Sequence, residues 1–233
     1  MNLRPLLVIT LALVAAAGAS ADISFAPLFR DGAVLQREQP LVIWGLAAAA
    51  EKVEVTFRNQ SATVITRSDG RWKITLKAEP ASPVPSALTA SGANTVTVRD
   101  VLVGDVWLCS GQSNMAFMVR NSVDAERETA AAKFPLIRHF KVPTSVAERP
   151  ADEVGGSWSV CSPETVGTFS AVAYYFARDL HQKLGVPIGL VNSSWGGTQI
   201  EGWMSEASLR ADPAARRNRV IAASSRITSD TGA

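Results

Sequence analysis

Val101-Leu102-Val103-Gly104-Asp105-Val106-Trp107-Leu108-Cys109 runs directly into Ser110-Gly111-Gln112-Ser113-Asn114-Met115. The first nine residues are apolar and branched over the length of a strand, and the next six are small or polar before a helical pattern begins. The chain is therefore expected to turn sharply from a buried strand into a helix at Ser113. A serine hydroxyl is a weak nucleophile until a base takes its proton, and the oxyanion it creates needs fixed donors. A helix start offers unpaired backbone N–H groups, so Ser113 is a candidate nucleophile. Serine and asparagine also cap helices routinely, and on pattern alone a simple cap at Ser113 or Asn114 stands beside that reading.

Downstream of the turn, Leu136 to Val142 and Pro187 to Ser194 read as two further strands. Between them Phe169, Val172, Ala173, Phe176 and Leu180 recur at helical spacing, and Gly185 and Pro187 stop that helix. Strand, helix and strand in this order predict an α/β fold with a parallel sheet, whose ligands gather at the carboxyl ends of its strands. Ser113 lies at one such end and Gly196-Gly197 at another. From Ser205 onward the chain is rich in Ala, Arg and Ser; Ser208 to Ala223 reads as a polar surface helix or as a frayed terminus, and residues 210–233 as a polar tail.

Upstream, short alternating runs predict a small antiparallel β-sandwich over residues 22–100, with strands at Leu41 to Trp44, Val53 to Phe57, Thr63 to Thr66, Trp72 to Leu76 and Thr95 to Val98. Asp69-Gly70 is expected to close a hairpin between two of them. Ala81 to Ser86 carries Pro83 and Pro85 and is expected to be a loop, since proline cannot donate to a central ladder. Trp44 and Trp72 are either core residues or a sugar-binding surface. Before the sandwich, Arg4, the apolar run Leu6 to Ala17 and Ala19-Ser20-Ala21 form a signal-peptide pattern over residues 1–21, with Asp22 as the expected mature N-terminus. Its apolar run is too short to cross a hydrocarbon core of about 30 Å comfortably. A secreted or periplasmic protein with no membrane contact after cleavage is expected.

A formal charge of +2 over 233 residues gives no strong field, so neither nucleic acid nor an anionic membrane is implied as a partner. Cys109 and Cys161 are the two cysteines; in an oxidising compartment they either form a disulfide or pack as free thiols. No Cys-x-x-Cys or histidine pairing accompanies them, so neither a metal site nor a cofactor is expected.

Ser110-Gly111-Gln112-Ser113-Asn114-Met115, taken with Ser193-Ser194-Trp195-Gly196-Gly197-Thr198-Gln199-Ile200-Glu201-Gly202-Trp203, resembles the sialate O-acetylesterase family of the SGNH hydrolases. Val34-Leu35-Gln36-Arg37, Val103-Gly104-Asp105-Val106-Trp107 and Phe169-Ser170-Ala171-Val172 are also similar to it. The resemblance implies a three-layer, flavodoxin-like α/β hydrolase domain over residues 101–209 behind a β-rich domain. It implies removal of O-acetyl groups from carbohydrates such as sialic acid through an acyl-serine intermediate. It also implies Ser113 as nucleophile, its own N–H and that of Gly196 or Gly197 as oxyanion donors, and Gln112 and Asn114 as residues that hold the turn.

The family's Asp-x-x-His base and its Trp-Tyr-Gln-Gly-Glu type segment have no match here, and the two histidines, His139 and His181, read as structural. Loss of the base can cost about a millionfold in turnover. The expectation is an N-terminal part of a longer hydrolase, with a partial catalytic domain and impaired activity. A non-catalytic carbohydrate-binding protein, and a module completed by a second chain bearing the Asp and His, are the competing readings.

Overall fold

The computed structural model describes residues 22–147, 151 and 154–211. The expected signal peptide and most of the polar tail lie outside the described residues. In chain order the elements are β1 (Ser24–Phe25), β2 (Val34–Gln36), β3 (Leu41–Leu46), β4 (Lys52–Phe57), β5 (Gln60–Ile65), β6 (Arg71–Leu76), β7 (Ser82–Ser91), β8 (Thr95–Gly111), α1 (Ser113–Ala116), α2 (Ala125–Ala131), β9 (Phe134–Lys141), β10 (Trp158–Cys161), α3 (Ala171–Leu184), β11 (Ile188–Ser194) and α4 (Glu206–Ala211), with short 3-10 turns between several of them.

The long strand β8 joins everything. Its first part pairs antiparallel with β7, from Ser91 opposite Thr95 to Ser82 opposite Val103. Its middle pairs parallel with β2, Val34 to Gln36 opposite Leu102 to Gly104. Its last part, Asp105 to Gly111, pairs parallel with β11, which also pairs parallel with β9. The large sheet therefore runs β10-β9-β11-β8-β7-β4-β5, and a separate antiparallel sheet, β1-β3-β6, faces its sandwich half. A mixed α/β chain whose large sheet is parallel across β9, β11 and β8, with a separate antiparallel sheet, agrees with the fold class expected from the sequence.

Two apolar cores flank β8. Alternation on β3, β4 and β6 sends Ile43, Val53, Val55, Phe57, Trp72 and Leu76 inward between the two sandwich sheets. On the parallel side, Ala171, Ala173, Tyr174 and Ala177 of α3 pack over Ile137, Ile188 and Leu190 of the sheet. Ser170 caps α3 by accepting from Ala173 N–H at 3.3 Å, and Gly185, at φ +68°, ends it as expected.

Three sequence expectations need correcting. Asp69-Gly70 closes a tight turn, with Arg67 N–H bonded to Arg71 O at 3.0 Å, but β5 then joins β4 while β6 joins β3. It is a crossing between sheets, not a hairpin. Ala81 to Ser86 is not a loop: from Ser82 it is the start of β7, and register shifts between Ser82 and Ser86 accommodate the two prolines. The disulfide reading also falls, because Cys109 and Cys161 are separate buried thiols whose burial raises their pKa values to about 11 and about 12.

Arg138 of β9 locks the two halves together. Its side chain, only 5% exposed, donates to Asp100 of β8 at 2.6 and 3.2 Å and to Pro135 O at 2.8 Å. Asp100 has φ +56°, a conformation asparagine adopts as readily as aspartate. Asp100→Asn therefore tests the charge without straining the backbone; since Asp100 is 42% exposed, we expect a loss of about 1 to 2 kcal/mol in urea unfolding. An unchanged midpoint would show that water screens the pair.

Candidate active site

Parallel pairing of β8 with β11 sets Ser193 beside Ser110 and Ser194 beside Gly111, and Trp195 N–H extends the ladder to Gly111 O at 3.0 Å. The register thus carries Gly196 and Gly197 against Ser113, as two strand ends of one sheet. A Cβ placed on Gly196 would stand 3.5 Å from Ser113 Cα and 3.7 Å from its Cβ. Gly111 has φ +146°, which an L side chain rarely adopts. That residue lets β8 break into the turn.

Ser113 is exposed and opens α1, a helix of only four residues. A helix this short contributes little macrodipole, so what the site offers is individual backbone donors. Ser113 N–H donates to Gln112 Oε1 at 3.2 Å, Ser113 Oγ–H donates to the same oxygen at 3.0 Å, and Gly197 N–H reaches it at 3.4 Å. Two backbone N–H groups can converge only on an acceptor, so this atom of the amide is its oxygen. The structure brings Gln112, Ser113, Gly196 and Gly197 together. Asn114 enters the turn through its backbone carbonyl, which accepts from Phe117 N–H at 3.4 Å.

Two supports were not foreseen from the sequence. Lys141 Nζ donates to Asn192 Oδ1 at 2.6 Å and to Ser194 O and Oγ at 3.2 Å each, tying β9 to the end of β11 just before the glycines. Burial lowers the Lys141 pKa. The signal was there in Leu190, Asn192 and Ser194, inward positions that change from apolar to polar as the strand reaches its end. On the outer side, Trp203 Nε1 donates to Thr198 Oγ1 at 2.8 Å, and Thr198 Oγ1 donates to Trp195 O at 2.7 Å, which folds the glycine loop back on itself. A cavity of about 360 Å³ lies alongside, lined by Ser110, Gly111, Gln112, Thr198, Ile200 and Trp203. Its size suits a small molecule. Among the described residues no cluster of metal-ligating side chains is present.

A parallel sheet with a serine turn and a glycine loop at its carboxyl edge, preceded by an antiparallel sandwich, is the architecture of a carbohydrate acetylesterase. A crystal structure of a carbohydrate acetylesterase from Xanthomonas citri superposes with a TM-score of 0.79 at 41% identity, covering 83% of this chain and 45% of that one. The family model described as carbohydrate esterase, sialic acid-specific acetylesterase, matches residues 103–227. The chain belongs to that family. Sialate O-acetylesterase of Homo sapiens is 37% identical over 225 residues, covering 88% of this chain, and that of Rattus norvegicus is 37% identical over 226. The chain spans 43% and 42% of the length of these two relatives.

Neither histidine stands at the serine. His181 is in the last turn of α3, where Nδ1 lies 2.8 Å from Val186 O. His139 is level with Leu190 and Trp107 across the sheet, four residues before the end of β8 at Gly111, which is about 13 Å back along the strand at about 3.3 Å per residue. It is buried and stacked on Phe169, with ring centroids 4.4 Å apart. Burial, with repulsion from Lys141, lowers its pKa to about 4. The unfolded chain takes up that proton near pH 6.5. Between these values the unfolded state binds more protons, so stability contributed by neutral His139 is present above pH 6.5 and is lost as pH falls toward about 4. His139→Leu should make the pH dependence of the urea midpoint shallower over that interval; equal slopes in parent and variant would contradict this assignment.

Proposed function

We propose that this chain supplies the nucleophile and oxyanion half of a carbohydrate O-acetylesterase, with Ser113 as nucleophile. The observation that carries the reading is the convergence of Ser113 N–H, Ser113 Oγ–H and Gly197 N–H on one carbonyl-type oxygen. An acetyl carbonyl needs that arrangement of donors around a serine oxygen. Ser113 Oγ would attack the acetyl carbon as a base takes its proton, and the oxyanion would accept from Ser113 N–H and Gly197 N–H once the Gln112 amide has swung aside. Collapse would break the bond to the sugar oxygen, which takes the proton held by the base and leaves as the alcohol, and water would then hydrolyse acetyl-Ser113 to acetate and the free serine. Gly196 packs beside Ser113, Gln112 holds the turn in the resting state, and Asn114 supports it through its carbonyl.

The substrate class follows from the relatives, which are named for sialate O-acetyl esters. O-acetylated sialic acid on an exported protein's side of the membrane is therefore the proposed substrate, and the signal-peptide pattern of residues 1–21 supports secretion or delivery to a periplasm.

Activation is the weaker half. Among the described residues, Ser113 Oγ–H is bonded to an amide oxygen, which accepts a hydrogen bond and does not take the proton. The isolated chain is accordingly a poor esterase, and a second polypeptide that brings an Asp and a His to Ser113 would raise its activity. The same observation favours, as second reading, a protein that binds acetylated sugar without turnover. Treatment of the purified chain with a fluorophosphonate, followed by peptide mass spectrometry, separates the two. We expect slow labelling confined to Ser113 and abolished in Ser113→Ala. Folded protein that takes no label would support the binding reading instead.

A further inference from the structure

The outer face of the β1-β3-β6 sheet carries residues the esterase reading does not use. Outward positions on a solvent-facing strand are ordinarily polar, yet β3 presents Val42, Trp44 and Leu46 there, each between 36% and 38% exposed. The antiparallel register sets Trp44 directly opposite Lys73 and Leu46 opposite Arg71. Trp72, one residue along, has turned inward, with Nε1 donating to Leu46 O at 3.0 Å. A cavity of about 230 Å³ opens beside Trp44 at the edge of this sheet, lined by Phe25, Leu46, Arg71, Trp72 and Lys73 among others, and the Trp44 ring itself packs edge-to-face with Phe29, centroids 4.7 Å apart. Pockets that enclose drug-sized ligands run from about 300 to 1,000 Å³. A single ring is the unit that fits.

Basic side chains border the cavity: Arg67, Arg71 and Lys73 line it, and Asp69 lies 3.7 Å from Arg67 in a largely exposed pair. Among the described residues Lys73 has no carboxylate partner. An indole face suits the C–H face of a sugar ring, while an ammonium beside it suits a carboxylate. A neutral sugar would use only the first, and a small carboxylate only the second.

We propose that Trp44 and Lys73 form a second, non-catalytic site for one carboxylated sugar ring, which holds an acidic glycan on the sandwich. The site is built from the sandwich alone; only the choice of sialic acid as its ligand rests on the acetylesterase reading. Titration of the full chain with N-acetylneuraminic acid, followed by tryptophan fluorescence and by saturation-transfer NMR, tests it. Saturable binding in the millimolar range, about tenfold weaker in Trp44→Ala, in Lys73→Glu and with the methyl ester of the sugar, is expected. Binding should persist in Ser113→Ala. The exposed Lys73→Glu change should leave the urea midpoint unchanged, so loss of binding there cannot be loss of fold.

Loss of binding in Ser113→Ala would place the sugar in the esterase cleft and overturn the proposal. So would equal affinity for the methyl ester, absence of binding by the parent chain, or self-association through the Val42–Leu46 row that titrates with protein concentration and not with sugar. Failure of the esterase reading would show separately, as absent fluorophosphonate labelling with sugar binding intact.

Discussion

One strand must satisfy two sheets. β8 has a single backbone whose N–H and C=O groups are paired with β7 and β2 over its first part and with β11 over its last. Buried backbone groups have to be paired, and the side-chain period of a strand is two, so a one-residue slip would turn every side chain to the wrong face. The register set in the sandwich is therefore carried, residue by residue, to Gly111 and the serine. Asp100, at φ +56°, marks the irregular point along the way, and it is there that Arg138 of the hydrolase side takes hold. The sandwich is thus part of what positions the turn at Ser113.

The same logic explains why the glycine loop arrives where it does. Seven consecutive pairs from Ile188 opposite Asp105 to Ser194 opposite Gly111 leave no freedom in how far β11 extends past β8. Lys141 then draws Asn192 and Ser194 toward β9, and Trp203 and Thr198 fold the loop from the far side. Gly196 and Gly197 are held between these two anchors. Neither anchor is chemistry; both fix donor positions, which is the property an oxyanion site depends on, since donors that must reorganise during reaction stabilise less.

The sequence was most legible where one local rule decides the outcome. Alternation in Val53-Glu54-Val55-Thr56-Phe57 gave β4, helical spacing with Gly185 gave α3, and the change from branched apolar to small polar residues placed the end of β8 at the turn. It was least legible where the partner of a strand matters more than its own residues. Asp69-Gly70 has the chemistry of a hairpin, but nothing in the dipeptide says that β5 and β6 will join different sheets. Pro83 and Pro85 forbid a regular central ladder, yet an irregular strand start tolerates them, and that irregularity depends on β8 alongside. β10 is four residues long and lies antiparallel on the edge of β9, too short for any periodicity to announce. At the candidate site, the juxtaposition of the serine turn and the glycine loop was legible from their motifs. Lys141 was not, because its role comes from two residues fifty positions away in the chain.

On the proposed reading, the two requirements of serine chemistry fall to different parts of the fold. Donors are backbone groups at strand ends, so they are placed by sheet register and come with the fold. A base is a side chain that has to be delivered to one face of the serine, and neither histidine is placed to deliver it: His139 is fixed in the ladder level with Trp107, about 13 Å before the end of β8, and His181 by the far end of α3. Moving either to Ser113 would mean changing the register or the helix length, which would dismantle the donor side. The amide of Gln112 fills the gap in the meantime. It satisfies Ser113 Oγ–H and both N–H donors with one neutral oxygen, holding the turn in shape without activating it. An arrangement of that kind can be preorganised for a carbonyl and still be slow to attack one, because the geometry of the oxyanion site and the basicity beside the hydroxyl are set by different parts of a hydrolase.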